Sequence, residues 1–522
     1  MSVAKTRSED GILTDEVRES PVDQAIFGTR RKLLLLIAAV LLVLAALAAW
    51  KFLTDKPVVY ESALDHYKYG SIGSEPGGSL LQTVGGLLPP YRIFRILPKI
   101  APEKLPGGYA SLGLLFEKDH DMPIGVSRRW RLGFDQVGLN CASCHTGTYR
   151  AAPGAPPVIV PGMPAHQLEL QKFFDFVTSA VLDNRFTADN VIGLIQEDGG
   201  NLNAFDRYLY RTQLIPRTRE TTLELRSKIA ELLGDPSIQW GAGRVDTFNP
   251  YKAIQFNWQL GSLPHSELIG ASDFPSLWNQ KPRVGMHLHW DGNNDSVDER
   301  NRSASLGTGV TPVTLDRPAL QRVKDWIMVL PPPKYPFSVD EASASKGAAI
   351  YQKLCVECHA DEHFREGVVA ANAKYVGTVV PIAQIGTDPY RLNSYTEKFA
   401  DQQYSLYPDS ADRFTHFRKT YGYANHPLDG IWARAPYLHN GSVPTLHDLL
   451  SPGKDRPKTF YRGYDVYDTA KVGFRTDVAE ENGRKFFRYD TSLPGNGNGG
   501  HEYGTSLSEA DKQSLVEYMK KF

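Results

Sequence analysis

The chain has 522 residues, 41% of them hydrophobic and 22% charged. That length suits two domains, each large enough to bury its own core. A formal net charge of −1 argues against nucleic acid as a partner.

The first predicted element is a membrane anchor. Residues 33–50 read LLLLIAAVLLVLAALAAW without a charge. Such a run spans about 27 Å as a helix, close to the hydrocarbon thickness of a bilayer. Arg30, Arg31 and Lys32 precede it, while Lys51 and Lys56 follow. The positive-inside rule keeps residues 1–32 in the cytoplasm and sends the rest across the membrane. The expected topology is a single-pass inner-membrane protein with anchor 33–53 and its bulk in the periplasm. A cleaved signal peptide is the alternative, with Ala46-Leu47-Ala48 as a cleavage site. The long preceding region favours the anchor.

Residues 54–110 are rich in Gly and Pro and read as an extended lead onto the first domain. Cys141-Ala142-Ser143-Cys144-His145 follows. Helical patterns are expected over 167–177 and 221–233, and residues 240–310 read as loops. An amphipathic helix is expected over 315–330, with Leu320, Val323, Trp326, Ile327 and Leu330 on one face. Pro331-Pro332-Pro333 stops it. A helix over Glu341–Leu354 then leads into Cys355-Val356-Glu357-Cys358-His359. The chain closes on a last helix, with Ser506 and Glu509 at capping-box spacing. Leu515, Tyr518, Met519 and Phe522 line its apolar face.

The two C-x-x-C-H motifs use all four cysteines. This is the attachment signature of c-type haem. Two thiols at that spacing reach both vinyl groups from one short turn, and the next residue supplies the proximal imidazole. His145 and His359 are thus the candidate iron ligands. Cys141, Cys144, Cys355 and Cys358 are the candidate haem attachments. Two disulfides, or one Cys/His zinc site built from both motifs, are the alternatives. The expected fold is mainly α with much irregular loop. Two cytochrome c-like haem domains, 54–333 and 334–522, stand behind one transmembrane helix.

Several longer phrases carry a resemblance. They are VGLNCASCHTGT (137–148), GRVDTFN (243–249), HWDGNN (289–294), APYLHNGSVPTLHDLL (435–450) and GNGNGGHEYG (495–504). From about residue 89 onward the chain resembles the bacterial di-haem cytochrome c peroxidase and MauG superfamily. Its nearest likeness is to the RoxA-like, rubber oxygenase-like di-haem cytochromes. The resemblance implies that His501 is the distal ligand of the second haem, with His439 the runner-up. It implies a haem-edge position for Trp290, the candidate catalytic residue. Arg434 is a candidate partner for a haem propionate. Met122, Met163, Met286 and His166 are conceivable sixth ligands of the first haem, but none stands in a matching phrase. Some members of the superfamily hold calcium between their haems. Here Asp291, Asn293, Asn294, Asp295, Asp298 and Glu299 offer oxygen donors, although they lack the EF-hand pattern.

The implied activity is that of an oxidoreductase. Electrons enter at a six-coordinate second haem and pass to an open first haem that binds peroxide or dioxygen. The implied partners are an electron-donor protein or quinol-linked chain, the small-molecule oxidant and the membrane. The alternatives are a pure electron-transfer cytochrome with both haems six-coordinate, or a haem subunit of a membrane redox complex.

Replacing Cys141 and Cys144 with Ala should remove one covalent haem, and replacing Cys355 and Cys358 the other. Intact mass of protein matured with a working haem-attachment system checks this. Fewer than two haem additions on the unaltered chain would refute it.

Overall fold

The computed structural model describes residues 2–7, 13–18, 21–54, 56, 58–70, 88–131, 133–312, 314–407 and 411–522. Helices predominate, and every sheet among the described residues has only two strands. Long irregular segments join them, as the Gly and Pro content requires.

The chain divides into two units. One comprises residues 1–57 and 130–134, the other residues 58–129 and 135–522. The first contains the helix Pro21–Leu53. Its stretch Thr29–Leu53 is long and apolar enough to cross a membrane, and none of its most apolar window is buried. This suits either a signal anchor or a membrane span.

In the second unit, the expected boundary at 333/334 falls inside one body rather than between two. Buried polar bonds cross it. The guanidinium of Arg462 donates to Asp273 at 2.7 Å, and that of Arg244 donates to Asn496 Oδ1 at 2.7 Å. Arg150 reaches Asp465 at 2.6 Å. A buried cation needs a partner, so neither half can satisfy its arginines alone.

The two motifs enter differently. The strands Val126–Arg131 and Phe134–Leu139 lead into the first, where the plan of small cytochromes would have a helix. The second is preceded by the expected helix, Glu341–Leu354, which crosses the last helix, Glu509–Met519. Gly347 lies at the crossing, where a Cβ would come within 1.9 Å of the Ser514 carbonyl oxygen. Hydrogen here is what lets the two backbones touch. Leu515, Tyr518, Met519 and Phe522 are all buried. The last helix is capped by Ser508, whose Oγ accepts from the Asp511 N–H, and not by Ser506. Glu509 turns outward instead and meets His447.

The helix Arg317–Val329 buries Leu320, Val323 and Ile327, as its pattern predicts. The expected helices near 167–177 and 221–233 occur as Leu170–Val181, Ile215–Lys228 and Ala230–Gly234. The lead over 54–110 is corrected in part. Residues 71–87 lie outside the described residues, but Pro90 caps a buried helix, Tyr91–Ile100, rather than an extended strand. Ile93, Phe94, Ile96 and Leu97 pack inward there, and their burial outweighs the loop-like composition.

Gly347→Ala should lower stability by about 1–3 kcal/mol through overpacking. Gly193→Ala, where an added Cβ meets nothing within 4 Å inside the helix Ala188–Glu197, should raise it by about 0.5–1 kcal/mol. Denaturant midpoints of the two variants check the opposite signs.

Candidate haem sites

The first motif is shaped by Asn140. Its Oδ1 accepts from the Ala142 N–H at 2.8 Å and caps the short helix Cys141–Cys144. Its Nδ2 donates to Ser127 Oγ at 2.7 Å and to the carbonyls of Lys68 and Gly70 at 3.2 Å. The turn is thereby pinned to a neighbouring strand and loop. The His145 ring donates from Nδ1 to the Pro275 carbonyl at 2.7 Å. That bond fixes the tautomer and leaves Nε2 as the ligating nitrogen. Burial pushes the His145 pKa down to about 4, so the ring is neutral at pH 7, as a ligand must be.

Cys141, Cys144 and His145 open onto a cavity of about 290 Å³. Most of its wall is apolar, but Arg283, Arg300, Arg391 and Arg434 also line it. Arg300 bonds only neutral groups, Gln280 Oε1 at 2.6 Å and Asn301 Oδ1 at 2.9 Å. Burial pushes its guanidinium down to about 10. Arg283 and Arg434 share Asp429, and Arg391 bonds Asp291 at 3.1 Å. Each of these three still has a buried Nε without a partner. An excess of buried cations with unmet donors fits a flat cofactor that brings carboxylates of its own. Trp290 and Arg434 both line the cavity; the resemblance implies a haem-edge position for Trp290, whereas Arg434 is expected near the second motif rather than the first.

The second motif repeats the proximal device. His359 Nδ1 donates to the His426 carbonyl at 2.8 Å, again leaving Nε2 free. Opposite it stands His501, with ring centroids 6.1 Å apart. With metal–nitrogen bonds of roughly 2 Å, two trans imidazoles place their centroids roughly 6 Å apart. The His501 pKa is pushed down to about 3 by burial and by the facing His359.

The loop holding His501 is heavily pinned. The buried Arg456 guanidinium donates to the carbonyls of Asn498 and Gly500 at 2.6 and 2.9 Å, and to those of Ser451 and Leu449 at 3.0 and 3.1 Å. Asn440 Nδ2 donates to the Gly497 carbonyl at 2.9 Å. The His501 N–H donates to the Ile385 carbonyl at 2.8 Å. Arg244 and Asn440 belong to two of the five phrases quoted above, and both grip another, residues 495–504.

His439 lies elsewhere. It is buried and stacked on Tyr423 with centroids 4.0 Å apart, and its Nε2 meets the Tyr423 hydroxyl at 3.0 Å. Met122, Met163, Met286 and His166 do not line the first cavity. His166 instead bonds the Thr148 carbonyl at 2.9 Å. Among the described residues, no imidazole faces His145 as His501 faces His359.

The calcium expectation finds no cage. Asp291 pairs with Arg391, Asp295 with His416 and Arg418, and Asp298 with Lys324. Glu299 accepts from the Thr415 and His416 N–H groups. These carboxylates diverge to separate donors rather than converge on one point. The disulfide and zinc alternatives also find no support. All four thiols are free, and the only His/Cys/Asp/Glu cluster among the described residues is Asp361, Glu362 and His363. Sequence reading missed Arg300, Arg456 and His426. Nothing in their local sequence distinguishes them from surface residues.

Residues 422–461 match the family model described as RoxA-like, cytochrome c-like. This stretch carries His426, Arg434, His439 and Arg456. The cytochrome c-like domain implies haem c and a haem redox protein. The chain is similar to two proteins of Sinorhizobium fredii (strain NBRC 101917 / NGR234). It is 27% identical to the uncharacterized protein y4iJ, covering 80% of this chain and 82% of that one. It is 33% identical to the uncharacterized protein y4iM, covering 48% of this chain and 64% of that one.

Arg300→Leu should destabilise the haem-loaded protein by about 1–3 kcal/mol through loss of charged hydrogen bonds, with Arg300→Lys keeping part of them. Denaturant unfolding followed at the Soret band checks this.

Proposed function

We propose that the chain is a membrane-anchored, periplasmic di-haem c-type cytochrome that works as an oxidoreductase. His359 and His501 hold the second haem from both faces. His145 holds the first from one face, and its other face is left for peroxide or dioxygen. The observation that carries this is the asymmetry of the two histidines. His359 has an imidazole opposite it at 6.1 Å, whereas His145 has none among the described residues. No methionine lines the first cavity; the histidines that do besides His145 are His289 and His426, bonded to Asn293 Oδ1 and to the His289 carbonyl.

Haem supplies the redox and oxygen chemistry when bound. The chain supplies ligation, orientation and charge. Pro275 and His426 hold the proximal rings, and Arg300 and Arg434 offer donors to propionates. The largely apolar wall limits water contact at the first site. Accessibility supports electron entry at the second haem. Glu357 inside the second motif is exposed, whereas Ser143 at the same place in the first is buried; Val356 and Ala142 are buried alike. The donor is an electron-donor protein or a quinol-linked chain in the same membrane.

Resting-state EPR tests the assignment. One low-spin and one high-spin ferric haem are expected, with only the high-spin signal responding to peroxide. Two low-spin signals would instead make the protein an electron carrier. His501→Ala should turn the low-spin haem high-spin or water-ligated while both thioether pairs persist. His439→Ala should leave that signal in place. The reverse pattern would transfer the ligand role to His439.

A further inference from the structure

Two histidines among the described residues take left-handed backbone, which favours glycine. One is His501, with φ of 50°, and the other is His289, with φ of 62°. His501 faces the second proximal ring, and His289 lines the first cavity. The backbone at His289 is held by His426, whose Nε2 donates to the His289 carbonyl at 2.9 Å.

The half-buried ring of His289 is fixed at one nitrogen only. Its Nδ1 donates to Asn293 Oδ1 at 2.6 Å, and its plane lies nearly parallel to Phe417 with centroids 6.5 Å apart. An amide oxygen only accepts, so Nδ1 carries the proton and Nε2 keeps its lone pair. Among the described residues no hydrogen bond engages Nε2. His145 stands on a different wall, against Phe274 and the Pro275 carbonyl. The first cavity thus holds one imidazole set for ligation and, apart from it, a second with a bare basic nitrogen.

Resting on the open first haem of the reading above, we propose that His289 is the acid–base residue of the first site and that Asn293 is its positioning residue. The co-reactant is peroxide. The peroxide oxygen retained at the site loses its proton to Nε2. The O–O bond breaks, and Nε2 returns that proton to the departing oxygen, which leaves as water. Two electrons come from the haem site, so peroxide is reduced and the site is oxidised by two. His289 ends in the state in which it began.

The surroundings suit a base. Burial pushes the His289 pKa down to about 4. Arg391 and Arg300 act in the same direction, against Asp291 and Asn293. The ring is therefore neutral at pH 7 and ready to accept a proton. Arg300, pushed down only to about 10, keeps its proton and cannot serve. The Nε2 of His426 is already committed to a main-chain carbonyl.

The test uses the full haem-loaded protein. Cyanide binds ferric iron as the anion but arrives at pH 7 as HCN, so its association with the high-spin haem reports proton abstraction without O–O chemistry. His289→Leu should slow both cyanide association and the peroxide-driven Soret change by about 10²-fold or more. The low-spin EPR signal of the second haem should be unchanged. Asn293→Leu should slow both reactions less, and Asn293→Asp, which keeps an acceptor for Nδ1, should recover most of the rate. In the unaltered protein the peroxide rate should fall as pH drops through about 4, because the protonated ring can no longer accept. That acid limb should vanish in His289→Leu. An unchanged cyanide rate in the Leu variant overturns the proposal, and so does an acid limb that survives the substitution. A first haem that is low-spin until His289 is replaced would make His289 an iron ligand and overturn it as well. Failure of the unaltered protein to bind cyanide at all would instead overturn the open first haem, and this role with it.

Discussion

An imidazole is oriented to hold a metal when its other nitrogen is held by something else. Both C-x-x-C-H histidines meet that condition through a main-chain carbonyl, Pro275 for His145 and His426 for His359. Neither acceptor is near its histidine in sequence. The chain must therefore close long loops before either motif becomes a site. The carbonyls cost no side chain, and they leave the surrounding residues free to set charge and access.

Buried arginines do much of that closing. Arg462 reaches Asp273, Arg244 reaches Asn496, and Arg456 gathers several carbonyls around the His501 loop. Each ties together segments distant in sequence, because a buried guanidinium left unpaired would cost several kcal/mol. This also explains why the second unit does not part at the triple proline. Apolar clusters span the break as well, with Val160, Met163 and Trp278 packed among Trp432, Tyr437 and Phe474, and the arginine bonds run across it beside them. A rigid frame suits a redox protein, since distances between its centres must not drift.

The two sites differ in how they face the outside. The second motif follows an exposed helix end, and an imidazole stands opposite its histidine. The first opens onto a largely apolar cavity whose lining includes four arginines. Between them lie Trp290 and His426, whose segments are bonded together. Access, charge and connection are thus distributed unequally over two copies of the same short signature.

Much of this was legible from residues alone. Two C-x-x-C-H motifs, the apolar run 33–50, and the helices over Glu341–Leu354 and near 315–330 are local patterns, read from spacing or periodicity. The phrase 495–504 singled out His501 ahead of His439. What local pattern could not give was partnership. The cap at Ser508, the hairpin before the first motif and the buried helix Tyr91–Ile100 depend on what packs against them. The run 291–299 offers oxygen donors in sequence, but tertiary contacts bring arginines, a lysine and backbone N–H groups to its carboxylates. Arg300, Arg456 and His426 look ordinary in sequence because their roles lie in acceptors and neighbours supplied from elsewhere in the chain. Sequence determined which residues can bind haem. The tertiary structure decided which histidine faces which, because ligation and burial are relations between distant segments.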